Sequence, residues 1–434
     1  MNYPIQDFGA VGDGATLNTK AIQAAIDACH AAGGGRVVVA DGTFMTGTIV
    51  LKGNVDLHLA ANGVLLGSPS CGRYKEGTGG DLVAEAEDYG DYPDFEKKHV
   101  VRDLLPRHRG SCLIFAEESQ NISITGKGII DANGEKFIEK VPEGEHNWQP
   151  YRRIHAPTPP RVVFFAGCRD VLVEDVTMRN QPAGWSYWIH DCDLVNFDRV
   201  KILARIDYPN NDGIHINSSR DVTVSNSTIV CGDDALVIRA NNISLAENKV
   251  CERVTVANCT LTSHSAGVRV GWVNDGVIRN CTFSNLVMTD TTNGVSIFLP
   301  WRKWAPSDFG REDTLVENLS FSNIVMDGTY DHPVKIFIAD DPEVRCVGIR
   351  NIFFHNFHSR GFRLPQLQGR PSNPLDNIVF SDCSFEVFPP ELANDGRSHG
   401  ATDYKVPVPP VFIVHYADRV VFSNMTIKAL ERFS

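Results

Sequence analysis

Three aspartates have the type and spacing to do acid–base chemistry. Asp212, Asp233 and Asp234 lie in the segments NNDGIHI and CGDDALVI of a 434-residue chain. Carboxyl groups around one bond can act as a general acid and a general base, provided that they lie close together. The fold must therefore bring the two segments side by side.

A nine-residue pattern recurs along the chain and predicts that they meet. Its positions two, four, seven and nine are mostly apolar, and its sixth position is mostly Asn. Copies begin at Asp170, Leu194, Asp221, Arg253, Asp275, Asp313, Cys346, Asn377 and Arg419. Repeats of this length indicate stacked units in which equivalent positions become neighbours. Because the two aspartate segments are one repeat apart, we expect their carboxyl groups to converge.

The repeat predicts an all-β fold, a parallel β-helix formed by one domain over residues 1–434. Alternating apolar residues give short strands with one buried face. Asn at the sixth position tolerates left-handed backbone, and its amide can bond the amide of the next coil. Residues 18–32 form an amphipathic helix within an N-terminal cap of about residues 1–35. The stretch 69–110 lacks the repeat and is predicted to be a loop inserted over the cleft.

Composition narrows the class of protein. The net charge is −12 and there is no block rich in Lys and Arg, so nucleic acid and anionic membranes are poor partners. The N-terminus lacks the basic and apolar regions of a signal peptide, from which we expect a cytoplasmic protein unless an export signal was removed. Cys259, Cys281 and Cys383 share a repeat position with Val, Leu, Ile and Met. This predicts reduced, buried thiols rather than disulfides or metal ligands.

The period of two in the strands next to the aspartates predicts which side chains line the cleft. In GIHI, ALVIR, GVRVG and GVSIF the apolar residues of one parity point into the core. The outward residues are then His215, Val237, Arg239, Arg269, Ser296 and Phe298. Further candidates for substrate binding are His190, His264, Trp301 and Arg302. For any single His or Arg of this set, a structural role is an open alternative.

The chain resembles family 28 glycoside hydrolases, the polygalacturonase-like right-handed β-helix enzymes, over nearly its whole length. The resemblance rests on FGAVGDGATLNTKAIQAAI, ITGKGIIDANG, PRVVFFAGCRDVLVEDV, WSYWIH, NNDGIHI and GDDALVIR. It implies inverting hydrolysis in which Asp233 is the general acid, while Asp212 and Asp234 position and deprotonate a water. Such a mechanism needs carboxyl groups about 6.5–9.5 Å apart, which strands about 4.8 Å apart permit. Crowded carboxylates also raise the pKa of at least one of them.

Two motifs depart from the family pattern. Ser265–Gly267 stands where the family has Gly-His-Gly, with His264 displaced by two positions, and Ser296–Phe298 replaces Arg-x-Lys. The second change removes a bidentate contact that selects uronic acids, although Arg269 could restore a cation. Phe298 offers a face for stacking on a sugar ring. We therefore predict an exo-acting hydrolase of α-linked, pectin-like oligosaccharides that is not a standard polygalacturonase.

Two other classes stay open at this point. A lyase or epimerase on the same fold commonly uses a Lys or Tyr base with Ca²⁺, which three carboxylates could hold. A non-catalytic carbohydrate-binding solenoid would have no need of the three aspartates. The hydrolase prediction implies no metal and no cofactor, and its partner is an oligosaccharide or polysaccharide.

Overall fold

The structure is a computed structural model that describes residues 1–70, 112–142, 150–153, 161–182, 184–304, 310–389 and 411–430. The chain forms two compact units, Met1–Ile214 with Val222–Thr228, and His215–Asp221 with Ile229–Ser434. The prediction of a single domain over residues 1–434 stays a prediction. Nearly all of the loop predicted at 69–110 lies outside the described residues. No helix among the described ranges is long and apolar enough to span a membrane.

The first unit consists of short parallel strands in two sheets. The larger sheet contains Asn2–Pro4, Asp13–Leu17, Gly35–Val39, Gly42–Thr46, Val55–Leu59, Gly63–Gly67, Gln120–Thr125, Ile129–Asp131, Arg169–Glu174, Thr177–Arg179, Asp193–Asp198 and Lys201–Leu203. The smaller sheet contains Ile49–Val50, Ile114–Glu117, Arg161–Ala166 and Trp185–His190. Ile138–Lys140 and Tyr151–Arg153 form an antiparallel pair. Three further strands, Ile214–Asn217, Arg220–Ser225 and Thr228–Cys231, contain residues of both units. Short 3₁₀ turns occur at Ile5–Phe8 and Gly134–Phe137.

The predicted N-terminal helix is confirmed as Thr19–Ala31. Its predicted apolar face is fully buried and consists of Ile22, Ala25, Ile26 and Cys29. The helix packs on strands of the first coil, including Gly35–Val39. The turn that follows it needs glycine, because Gly34 has a φ of +119° and a Cβ there would lie 2.4 Å from the carbonyl oxygen of Asn54.

The second unit has longer strands in the same parallel arrangement. Its larger sheet contains Cys251–Ser263, Val277–Thr289, Thr314–Thr329, Cys346–Gly361, Asp376–Val387 and Val420–Ala429. Its smaller sheet contains Leu236–Arg239, Ala266–Val270, Asn293–Leu299, Val334–Ile338, Gln366–Gln368 and Ile413–His415. A 3₁₀ turn lies at Arg302–Trp304. Aromatic side chains stack along the core, and the ring centroids of Phe283, Phe321, Phe354 and Phe380 are successively 4.7, 5.1 and 4.7 Å apart.

Asparagine ladders form at the bends of these strands, as predicted. The Asn residues at the bends have left-handed φ angles near +55°. In one ladder the amide of Asn285 donates to Asn258 (3.0 Å), Asn323 to Asn285 (3.1 Å) and Asn356 to Asn323 (2.9 Å). In the other, Asn318 donates to Asn280 (3.2 Å), Asn351 to Asn318 (3.0 Å) and Asn377 to Asn351 (2.8 Å).

Each coil of this sheet bends twice, and this corrects the predicted alignment of the repeats. The copy that begins at Arg253 has its sixth position on the second bend, whereas the copies from Asp275, Asp313 and Cys346 have it on the first bend, five residues earlier in the coil. The alignment of those three copies is therefore wrong by one bend. Inward residues follow each bend by one and three positions, so the apolar pattern looks the same after such a shift.

The correction separates the three cysteines that were assigned to one repeat position. Cys259 pairs with Leu286, which follows the second bend of its coil, whereas Cys281 pairs with Leu319, which follows the first bend. Cys383 lies on the same bend as Cys259. All three thiols are at most 2% exposed, and none of the described cysteines forms a disulfide. Their prediction as buried core residues is confirmed, and their reduced state stays a prediction.

Candidate active site

The smaller sheet of the second unit holds a row of outward side chains in register. Val237 pairs with Arg269, Arg269 with Ser296, and Ser296 with Lys335. The predicted parity is confirmed, because the inward residues Leu236, Ile238, Val268, Val270, Val295 and Ile297 are fully buried. The outward side is also largely covered, with Ser296 only 2% exposed. A substrate therefore cannot lie on the bare outward face of this sheet, and the site must be formed by the few side chains that remain accessible.

Asp233 and Asp234 precede the first strand of this row. Extending the register backwards puts Asp233 opposite Ser265, in the turn before the next strand. The main-chain carbonyl of Asp233 accepts a hydrogen bond from Ser263 Oγ (2.5 Å), and its Oδ1 accepts one from the backbone N–H of Asp234 (3.0 Å). Asp233 is half-buried and Asp234 is 7% exposed. The turn thus fixes the backbone of Asp233 and leaves its carboxyl group the more accessible of the two.

Asp234 is held as an anion by a two-point contact with Arg269. Arg269 Nε donates to Oδ2 and Nη2 to Oδ1 (2.9 Å), while the backbone N–H of Ala266 also donates to Oδ1 (3.0 Å). Burial favours the neutral acid, but the charge of Arg269 and hydrogen bonds from Arg269, Ser265 and Ala266 outweigh it, so the pKa of Asp234 is lowered. Both oxygens of this carboxylate therefore already accept hydrogen bonds from fixed donors.

Aromatic rings hold Arg269 from its other sides. Its guanidinium carbon lies 5.4 Å from the ring centroids of both Trp272 and Phe298. A guanidinium between a carboxylate and two rings has little freedom to turn towards another ligand. Phe298 is 9% exposed, and Lys335 also lies over its ring, at 5.6 Å. The predicted stacking of Phe298 on a sugar stays a prediction.

Arg239 is placed differently from its prediction as a substrate-binding residue. Its Nε and Nη2 donate to the two oxygens of Asp275 at 2.7 and 2.9 Å, and the side chains are 7% and 0% exposed. Asp275 also accepts a hydrogen bond from the backbone N–H of Ala240 (3.3 Å). The prediction that Arg239 binds substrate is therefore corrected to a structural role. The buried carboxylate of Asp275 already accepts from the two N–H groups, Nε and Nη2, that would have to donate to a sugar.

The three histidines predicted to bind substrate are all buried. His215 is 4% and His264 8% exposed, and substrate binding by either stays a prediction. His190 is fully buried in the first unit, with its ring centroid 5.3 Å from that of Trp188. The structure therefore assigns His190 to aromatic packing rather than to a surface that a sugar could reach.

Asp212 lies in the first unit, just before the strand Ile214–Asn217. It is 4% exposed, and its carbonyl oxygen accepts hydrogen bonds from Ser186, from the backbone N–H at 2.9 Å and from Oγ at 2.7 Å. The backbone of this aspartate is thus anchored by a side chain as well as by the main chain of the neighbouring strand.

The structure brings the three predicted catalytic aspartates together. One oxygen each from Asp212, Asp233 and Asp234 lies within 4.8 Å of the others. This value limits the distance between the nearest oxygens, whereas the roughly 6.5–9.5 Å predicted for an acid and a base separates whole carboxyl groups, so that separation stays a prediction. Ca²⁺ takes six to eight oxygen ligands, and Asp234 already accepts from Arg269 and Ala266, so this set fits such an ion poorly. The absence of a metal requirement stays a prediction.

The segment after the strand Asn293–Leu299 forms an aromatic wall. The ring of Trp301 lies 4.9 Å from that of Phe337, whose centroid is 5.4 Å from that of Phe298. The backbone N–H of Arg302 donates to Asp341 Oδ2 (2.9 Å). Trp301 and Arg302 are half-buried, and their predicted contact with substrate stays a prediction.

Sequence reasoning missed several charged residues of the same row. They are Asp331, Lys335 and Arg363, together with His332, and they cluster around the strand Val334–Ile338. The signal was present, because YDHPVKI aligns with GDDALVI and puts Asp331 in the place of Asp233 and Lys335 in that of Val237. Trp272 was also missed, since it follows its strand and no parity argument reaches it.

The fold and the site define a class, a parallel β-helix protein with converging carboxylates beside a row of outward side chains. Residues 107–252 match the family described as glycosyl hydrolases family 28, and residues 3–142 match one described as rhamnogalacturonase A/epimerase, pectate lyase-like. A probable polygalacturonase of Vitis vinifera is 23% identical over 88% of this chain and 73% of its own length. An exopolygalacturonase of Arabidopsis thaliana is 23% identical over 75% of this chain and 64% of its own length.

Solved structures agree on the fold. The crystal structure of an exopolygalacturonase from Thermotoga maritima matches with a TM-score of 0.67 at 21% identity, over 99% of this chain and 92% of that one. The chain is a polygalacturonase-like, right-handed parallel β-helix whose residues 107–252 are similar to glycosyl hydrolases family 28. The predicted fold class and enzyme class are confirmed.

Proposed function

We propose that the protein is an exo-acting glycosidase that cleaves α-linked sugars of pectin-like oligosaccharides by direct attack of water. The observation that carries the proposal is the pair Asp233–Asp234, in which one carboxylate is fixed as an anion and the other is the more accessible. Exo action is supported by relatives and a structural neighbour that are named exopolygalacturonases.

In this mechanism the three aspartates have separate roles. Asp233 donates its proton to the glycosidic oxygen as the bond to the anomeric carbon breaks. A water attacks that carbon, and Asp212 accepts the proton of the water. Asp234 stays ionised, because Arg269 lowers its pKa. This differs from the first expectation, in which Asp234 shared the role of base.

The same contact supports inversion of configuration. A retaining enzyme needs a carboxylate nucleophile that can approach the anomeric carbon. Both oxygens of Asp234 accept hydrogen bonds from Arg269, and Oδ1 also accepts one from Ala266. A carboxylate in that position is a poor nucleophile, so water is the better candidate to attack.

The test compares Asp233→Asn with the parent on pectin fragments, rhamnosides, galactosides and arabinosides, with the product anomer followed by NMR. Loss of a general acid predicts a fall in kcat of about 10²–10⁴-fold. Activity equal to that of the parent would remove Asp233 as the acid, and net retention would remove direct attack by water. Asp313→Asn is a matched control, because Asp313 is a mostly exposed partner of Arg345.

Two arms of the same assay separate the other classes. An unsaturated product, or activity abolished by a chelator and restored by Ca²⁺, would favour a lyase or epimerase. Binding without turnover on any of these substrates would favour a non-catalytic carbohydrate-binding protein.

A further inference from the structure

The hydroxyl group of Ser263 links the turns of two neighbouring coils in the second unit. Its Oγ donates to the main-chain carbonyl of Asp233 (2.5 Å) and accepts from the backbone N–H of Ser265 (2.9 Å). Ser263 is the last residue of the strand Cys251–Ser263 and is fully buried. Because a buried hydroxyl that lost these partners would be costly, the two bonds hold it in one orientation. Ser263 therefore joins the turn of Asp233 to the turn that follows one coil later.

The turn on the far side of this link holds the Asp234 carboxylate. The backbone N–H of Ala266 donates to Asp234 Oδ1 (3.0 Å), and Arg269 Nη2 donates to the same oxygen (2.9 Å) and to Ser265 Oγ (3.3 Å). Burial alone would raise the pKa of Asp234, but the charge and hydrogen bonds of Arg269, with those of Ser265 and Ala266, lower it. The donors that keep Asp234 ionised thus follow Ser263 closely in the chain.

Hydrogen bonds to the neighbouring coils fix the rest of this turn. The carbonyl groups of residues 263–265 accept, in chain order, from the backbone N–H of Thr292 (3.2 Å), from Thr292 Oγ1 (2.8 Å) and from the backbone N–H of Asn293 (2.7 Å). On the opposite side, the carbonyl of Ala266 accepts from the backbone N–H of Ala235 (2.9 Å). A turn with so many partners has little freedom to move, so it can serve as a rigid support for the groups attached to it.

Ser263 reaches Asp233 through the main chain. The Asp233 carbonyl also accepts from the thiol of Cys231 (3.0 Å), which is a weaker donor than a hydroxyl. Because the backbone N–H of Asp234 donates to Asp233 Oδ1 (3.0 Å), a movement of this short stretch of backbone would move both carboxyl groups. A sugar cannot reach the hydroxyl of Ser263, since the residue is fully buried. Ser263 therefore supports the groups that meet the substrate and does not touch it.

We propose that Ser263 is a positioning residue for the hydrolysis, and that its hydroxyl holds the main chain of Asp233 in a fixed place relative to the turn that carries the donors to Asp234. This assignment rests on the proposed function and deepens it, because the relative positions of the acid and the ionised carboxylate then depend on one buried hydroxyl. A misplacement of about 1 Å can lower a rate about 100-fold, so the loss of this link should be visible in kcat.

The test compares Ser263→Ala with the matched control Ser227→Ala on the substrate that the parent hydrolyses best. Ser227 is also buried, and its Oγ likewise donates to a carbonyl, that of Ser225 (2.7 Å), and accepts from the backbone N–H of a neighbouring coil, that of Val200 (3.0 Å). Ser263→Ala should lower kcat about 10–100-fold and leave KM within about twofold. Ser227→Ala should change neither by more than about twofold, although both variants lose the same two kinds of hydrogen bond and should show similar falls in urea midpoint.

The pH profile gives a readout that a loss of stability alone would not produce. In Ser263→Ala the turn loosens and the donors to Asp234 weaken, so its pKa rises and the acidic limb of the kcat profile moves to higher pH. Ser263→Thr keeps the hydroxyl and should recover most of kcat. Ser263→Cys, whose thiol is a weak donor, should lie between the parent and the Ala variant, and it replaces the Ala variant if that protein does not fold.

Crystal structures of the parent and of Ser263→Ala separate this link from the proposed function, because they need no turnover. A displaced carboxyl group of Asp233 or Asp234 supports the link even if the parent hydrolyses none of the tested sugars, in which case the proposed function alone fails. Carboxyl groups that stay in place, equal falls in kcat for Ser263→Ala and Ser227→Ala, or a rise in KM at constant kcat would each overturn it.

Discussion

Replacing Arg269 with Met tests whether this residue acts through Asp234 or directly on the substrate. In the structure both oxygens of Asp234 accept from Arg269, and the two side chains are 12% and 9% exposed. Without the guanidinium, the buried carboxylate has lost its charge partner and must either remain an uncompensated anion or take up a proton. Both routes cost stability, and both change the field at the neighbouring Asp233.

The expected magnitude follows from these two routes. Breaking a buried ion pair by removing one partner costs about 3–5 kcal/mol. Protonation of Asp234 limits that cost, because each unit by which a carboxyl pKa is raised corresponds to about 1.4 kcal/mol. We expect Arg269→Met to lose about 3–4 kcal/mol of unfolding free energy, and kcat to fall about 100-fold if Asp234 must be charged.

The pH dependence has a defined sign. The pKa of Asp234 is lowered in the folded protein, so its contribution to stability is fully present above its unfolded pKa of about 3.9 and is lost as the pH falls through the folded value. The stability difference between parent and Arg269→Met should therefore be large near pH 7 and shrink below about pH 4. In the variant the acidic limb of the kcat profile should move to higher pH.

The assay combines urea unfolding with kcat and KM measured across pH, and includes Arg269→Lys and the exposed control Arg350→Met. The lysine variant keeps the positive charge but loses the two-point contact with Asp234, so we expect stability and kcat between those of the parent and of Arg269→Met. The control should lose no more than about 1 kcal/mol. A rise in KM with kcat and stability unchanged would refute the reasoning and make Arg269 a substrate-binding residue.

Two further predictions concern stability. Arg239→Met should lower the free energy of unfolding in urea by about 3–5 kcal/mol, because it leaves the fully buried Asp275 carboxylate without its charge partner. The double variant Arg239→Met with Asp275→Leu should recover most of this loss. A double variant no more stable than Arg239→Met would show that an apolar pair cannot replace the ion pair. In the Asn ladder, Asn318→Ala should be about 1–2 kcal/mol less stable than Asn318→Gly, because both lose the amide bonds to Asn280 and Asn351 but only Ala is strained at a φ of +57°. Equal urea midpoints for the two would show that the left-handed bend carries no such strain.

Local patterns were sufficient to predict the helix, the strand parity and the ladders. The buried face of Thr19–Ala31 and the inward residues beside the candidate site follow from periods of 3.6 and 2. The left-handed Asn residues follow from a preference that is local to the residue. The cluster of Asp212, Asp233 and Asp234 could also be anticipated, since equivalent positions in stacked repeats must become neighbours.

Only the tertiary structure shows which charged side chains pair and on which of the two bends of a coil each repeat lies. Arg239 and Arg269 have the same outward parity in neighbouring strands, yet one is held by Asp275 and the other by a candidate catalytic carboxylate. Their partners lie 36 and 35 residues away in sequence, and which of them a long side chain reaches depends on the packing of the loops around it. The apolar pattern is unchanged by a shift of one bend, so the sequence determined which residues face inward, and the stacking of the coils decided which residues face each other.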